Sequence, residues 1–124
     1  MTGTPRQFLT IRRDAHLFTS RTQLVEKLRS SSRPILLAPD QLLHPEPSTA
    51  YIVRLGKLRV TQFLPKGAEV TRAVLQAGSL LRAEYIPQGE ADPSADVYNL
   101  SEMVLMALGQ VKLWVLPTAA LEQD

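Results

Sequence analysis

Between Pro34 and Pro117 the chain is cut into short apolar runs by glycine and proline, at Pro39, Gly56, Pro65-Lys66-Gly67, Ala77-Gly78-Ser79 and Gly109-Gln110. That punctuation excludes long helices across this region, because each Gly or Pro inside a helical pattern weakens or ends it, whereas strands need only a few residues between turns. The periods agree. In Lys57-Leu58-Arg59-Val60-Thr61-Gln62-Phe63, Leu58 and Val60 alternate with Lys57, Arg59 and Thr61, as a half-buried strand requires. Val111, Leu113 and Val115 alternate in the same way toward one face. Ile35-Leu36-Leu37, Gln41 to His44, Ala50 to Leu55, Val70 to Leu75 and Met103 to Leu108 complete a series of short strands. Pro65-Lys66-Gly67 is a hairpin signal, since proline fixes one turn torsion and glycine permits a positive φ.

Helical spacing is confined to the ends. Phe18 to Leu28 places Leu24, Val25 and Leu28 on one face after a capping Thr19 or Ser20, and predicts a short amphipathic helix. Ser30-Ser31-Ser32-Arg33-Pro34 breaks it, because small hydroxyl residues and proline favour loop conformations. Pro117-Thr118-Ala119-Ala120-Leu121 starts a second helix with Thr118 as its cap, of one or two turns at most. From Arg82 to Ser101 the composition turns polar, with Pro87, Gly89 and Pro93 inside it, which predicts an irregular excursion. The expected fold is mainly β, a two-sheet jelly roll or double-stranded β-helix with short flanking α-helices.

Composition excludes several functions. The 124 residues with 44% hydrophobic content fit one domain. Fourteen Lys and Arg against twelve Asp and Glu leave no electrostatic case for nucleic acid. With no cysteine, thiolate metal sites, iron–sulfur clusters and cysteine nucleophiles are out of the inventory. His16 and His44 are the only histidines, too few for a jelly-roll metal centre, so neither metal nor cofactor is expected. No stretch reaches the roughly 18 apolar residues of a membrane helix and the N-terminus lacks a signal-peptide core, so a cytoplasmic protein is expected. Nothing pairs a nucleophile with a base, and no Gly-rich phosphate loop is present, so no enzyme is expected.

Trp114 falls on the strand face of Lys112, opposite the Val111, Leu113 and Val115 row. An outward tryptophan marks an interface, here with Leu121, or packs beneath the terminal helix.

The segments Gln41 to Thr61, Gly67 to Leu81 and Ala107 to Pro117 resemble the cyclic-nucleotide-binding domain of bacterial regulators of the catabolite-activator type, with glycine turns and strand order agreeing together. The resemblance covers residues 15–124 and implies one β-roll there, with residues 1–14 as an N-terminal extension. In that family a Gly-Glu pair after the second glycine, and an Arg followed by Ser or Thr and Ala on a later strand, hold the ligand's ribose and phosphate. Here Arg82-Ala83 occupy the Gly-Glu positions, Glu84 stands one residue out of register, and the later Arg falls near Ser101 in Ser101-Glu102-Met103. The resemblance therefore implies a regulatory or protein-interaction module, as a homodimer or with a protein partner, that takes no cyclic nucleotide. The alternative is the sensory domain of a transcription regulator that binds another ligand through Arg82, Glu84, Tyr98 and Ser101. Such regulators continue into a long helix and a helix-turn-helix, which the residues after Leu121 do not supply. No direct DNA binding is expected of this chain alone.

Overall fold

Two turns show how the chain reverses. At Gly67, φ is 88°, and the Leu64 N–H and carbonyl close the Pro65-Lys66-Gly67 turn against Ala68 and Gly67 at 2.8 and 2.9 Å. At Gly56, φ is 86° and a Cβ would run into the backbone carbonyl oxygen of Gln110, so the connection there requires glycine twice over.

The computed structural model describes residues 7–12, 28–86 and 96–122. Ten strands are described: β1 Gln7–Arg12, β2 Arg33–Leu37, β3 Leu42–Leu43, β4 Thr49–Leu55, β5 Leu58–Phe63, β6 Glu69–Leu75, β7 Leu80–Tyr85, β8 Asp96–Asn99, β9 Met103–Ala107 and β10 Val111–Pro117. They form a six-stranded sheet, β2-β10-β4-β7-β1-β8, and a four-stranded sheet, β3-β9-β5-β6. Every ladder is antiparallel. Short 3-10 turns cover Leu100–Glu102 and Thr118–Glu122, and residues 28–31 are helical. This is the mainly β two-sheet roll that the strand periods predict.

Alternation builds the core between the sheets. Leu9 and Ile11 of β1, Tyr51 and Val53 of β4, Leu81 and Ala83 of β7, and Val111, Leu113 and Val115 of β10 face Leu58, Val60, Ala73, Leu75, Leu105 and Ala107 of the smaller sheet. Removal of this apolar surface from water is the main drive to fold, at roughly 25 cal/mol per Å².

Two expectations need correction. Residues 7–12, assigned to an N-terminal extension, instead supply β1, which pairs with β7 on one side and β8 on the other. The irregular excursion expected from Arg82 is strand as far as Tyr85, where Arg82 and Glu84 alternate with the core residues Leu81 and Ala83, and is strand again over Asp96–Asn99. The run Ser30 to Pro34 breaks the helix as expected: it ends at Ser31, and the Ser32 N–H and hydroxyl both donate to the Arg29 carbonyl, at 3.3 and 3.1 Å. Trp114 does face away from the inter-sheet core, yet it is only 8% exposed. A second cluster covers it, formed by Leu28, Ala50, Ile52, Leu80 and Leu116 with Ala120 and Leu121 packed against them. Trp114 and Leu121 thus pack in one cluster, as in the second of the two expected arrangements, beneath the terminal turn, and the Arg54 guanidinium lies 4.2 Å from the centre of the indole ring. The helix expected over Phe18–Leu28 lies outside the described residues except for Leu28, as do Pro87, Gly89, Pro93 and His16.

Candidate functional site

An inward strand position demands an apolar side chain or a fully partnered polar one. In β5 the inward row runs Leu58, Val60, Gln62, and Gln62 is 8% exposed. Its amide is engaged at both ends. The Arg72 Nε–H donates to Gln62 Oε1 at 2.7 Å, and Gln62 Nε2 donates to Glu102 Oε1 at 2.7 Å.

A β-bulge aims the arginine. Val60 pairs with Ala73 but Thr61 pairs with Thr71, so Arg72 is the extra residue of β6 and leaves the strict alternation of its strand. Its guanidinium also lies 5.6 Å from the centre of the Tyr98 ring, across the gap between the sheets. β6 and β8 are edge strands of different sheets. The chain Tyr98, Arg72, Gln62, Glu102 therefore spans the open side of the roll where those edges meet.

The four residues expected to line a ligand site do not converge. Arg82 pairs with Thr10 and with Ala50, and Ala50 belongs to the outer cluster, so Arg82 and Glu84 stand on the outer face of the large sheet. There the Arg82 guanidinium reaches the Glu84 carboxylate at 3.0 Å, each side chain about a quarter exposed at 24% and 25%. Tyr98 stands on the inner face, paired with Leu9 and partly packed against the inter-sheet core. Ser101 is exposed and donates from Oγ to Asn99 Oδ1 at 3.2 Å, and lines an open cleft of about 530 Å³ with Gln7, His44 and Asn99. One sheet thus separates Arg82 and Glu84 from Tyr98.

Gln62 and Arg72 were not among the expected site residues. The signal for Gln62 lies in the alternation of β5, which assigns an amide to the core. No sequence signal marks the bulge at Arg72.

A further buried polar group sits at the β2 side. Tyr51 is 2% exposed and its hydroxyl accepts the Glu46 backbone N–H at 2.9 Å. Burial pushes this phenol above its ordinary value, while the Glu46 N–H and the Arg33 charge oppose the rise and the Glu46 carboxylate adds to it. Among the described residues no three His, Asp or Glu groups gather as a metal site, and no helix is long and apolar enough to cross a membrane.

Comparison with solved structures matches this geometry to a known architecture. The N-terminal domain of a transcriptional regulator from Streptomyces coelicolor A3(2) aligns with a TM-score of 0.60 at 23% identity, over 89% of this chain and 74% of that one. The Thermus thermophilus catabolite activator protein aligns with a TM-score of 0.59 at 18% identity, over 88% of this chain and 48% of its own length. The fold is the cyclic-nucleotide-binding β-roll. The CO-dependent transcription factor CooA from Carboxydothermus hydrogenoformans shares it at a TM-score of 0.57 and 13% identity, over 88% of this chain and 43% of CooA. This chain thus spans less than half of the two longer regulators. No protein-family model and no curated protein matches the sequence.

Proposed function

We propose that this chain is a non-enzymatic, cytoplasmic regulatory domain that uses the roll for protein contacts, as a homodimer or on a larger partner, and takes no cyclic nucleotide. The observation that carries this reading is where the charges go. Arg82 and Glu84 neutralise each other on the outer face of the large sheet, and the carboxylate of Glu102 hydrogen-bonds the buried Gln62 near where the resemblance expects a phosphate-binding arginine. Each lost charge-assisted contact to a phosphate costs about 1.5 to 3 kcal/mol, roughly a tenfold to hundredfold loss of affinity, before repulsion by Glu102. The solved structures that share the fold include transcription regulators, which supports a regulatory role. The reading assigns no operator contact to this chain by itself.

A second reading, a sensory domain for a different ligand, is favoured by one observation: Arg72 and Tyr98 place a cation and an aromatic face together where the two sheets meet. Calorimetric titration with cyclic AMP and cyclic GMP, beside light scattering for oligomeric state, tests the first reading. No saturable heat, with a dimer or a stoichiometric partner, supports it; saturable micromolar binding of either nucleotide overturns it. A ligand that binds the wild type but not Tyr98→Ala would establish the second.

A further inference from the structure

At the β2 edge of the large sheet, opposite the β8 edge where Tyr98 and Arg72 meet, three distant segments enclose an open cleft of about 300 Å³. Ser31, Ser32 and Arg33 form one wall, Ser48 and Thr49 a second, and the end of β10 the floor. Two hydroxyls are committed elsewhere: Ser32 Oγ donates to the Arg29 carbonyl and Thr49 Oγ1 to the Pro47 carbonyl, at 3.1 and 3.0 Å. The Ser48 backbone is also spent, its N–H on Gln7 Oε1 at 3.1 Å and its carbonyl on the Thr118 N–H at 3.1 Å. What remains to face a ligand is the Arg33 guanidinium with the Ser31 and Ser48 hydroxyls. Arg33 forms no ion pair among the described residues.

Register fixes the direction of Arg33. It pairs with Val115, which pairs in turn with Tyr51, and both belong to the inter-sheet core, so Arg33 emerges from the inner face at the rim of the sheet. Its charge is felt by the Tyr51 hydroxyl, which agrees with that placement. A planar fork of donors beside two rotatable hydroxyls suits a tetrahedral oxyanion, which can accept from all three at once. The cleft has room for a phosphate group and part of the small molecule that bears it.

We propose that this cleft binds a small phosphate monoester through Arg33, Ser31 and Ser48. The site is separate from the nucleotide pocket of the fold's resemblance, and it stands or falls independently of the protein-contact reading above.

Two-dimensional amide NMR of the full 124-residue chain, titrated with inorganic phosphate and with glycerol phosphate at constant ionic strength, tests it. The expected result is saturable shifts at residues 31–33 and 48–49, with acetate producing none. Arg33→Ala, at an exposed position that leaves the fold intact, should weaken phosphate binding by about tenfold or more. Equal response to phosphate, acetate and chloride, or an unchanged affinity in Arg33→Ala, overturns the proposal.

Discussion

Tyr51 shows how one side chain converts burial into a pH response. Its phenol is neutral in the folded roll, and burial raises its pKa above the unfolded value of about 10. Below about pH 10 both states hold the proton and the contribution to stability is complete. As pH rises past that value the unfolded phenol ionises first, so stability falls until the folded phenol also titrates. Thermal melts from about pH 8 to about pH 11 should show the wild type losing stability more steeply than Tyr51→Phe. At neutral pH the same variant should be less stable by about 0.5 to 1.5 kcal/mol, because the Glu46 N–H loses its acceptor. Gly56 makes a sharper case. Gly56→Ala forces a Cβ against the Gln110 carbonyl at φ 86° and should cost more than the roughly 1 to 2 kcal/mol of a left-handed backbone alone, measured by urea denaturation.

At the scale of strands, legibility followed locality. β5, β6 and the turn between them were readable because alternation, Pro65 and Gly67 all lie within the pair they join. β10 was readable from Val111, Leu113 and Val115, and its outward Trp114 could be placed on a face but not told apart from an interface, since its cover comes from Leu28 and Leu80. β1 was missed for the opposite reason. Leu9 and Ile11 alternate over only six residues, and the partner that gives them meaning is β7, with Thr10 donating to the Arg82 carbonyl across 72 positions of sequence. β7 was missed because Arg82 and Glu84 read as loop when they are the outer face of a strand whose inner face is Leu81 and Ala83. Leu9→Ala separates the two accounts of the N-terminus. A residue in an extension changes stability by less than about 0.5 kcal/mol, whereas a core leucine costs about 2 to 5. Leu9 is fully buried, and chemical denaturation should return the larger figure.

For the whole molecule the question is what holds two sheets together where the roll is open. β8 has β1 on one side and no described strand on the other, and β6 likewise has only β5. Between these edges the contact of Arg72 with Tyr98 is cross-sheet, while the bond from Arg72 to Gln62 lies within the smaller sheet and the bond from Gln62 to Glu102 ties it to the 3-10 turn that joins β8 to β9. Removing the arginine alone leaves Gln62 Oε1 short of its donor in a buried place, at about 1 to 3 kcal/mol. Removing the amide as well restores an apolar inward row of Leu58, Val60 and leucine. Arg72→Leu should therefore destabilise the roll, and the double variant Arg72→Leu with Gln62→Leu should recover part of that loss, a coupling that denaturant melts of these two variants and of Gln62→Leu alone measure. If the cluster is also the clasp of the two sheets, amide exchange in Arg72→Leu should quicken at residues 96–99 of β8 and stay unchanged in β2 at the far edge. Uniform acceleration across both edges would mean that Gln62 and Arg72 only add stability and hold no particular side of the roll closed.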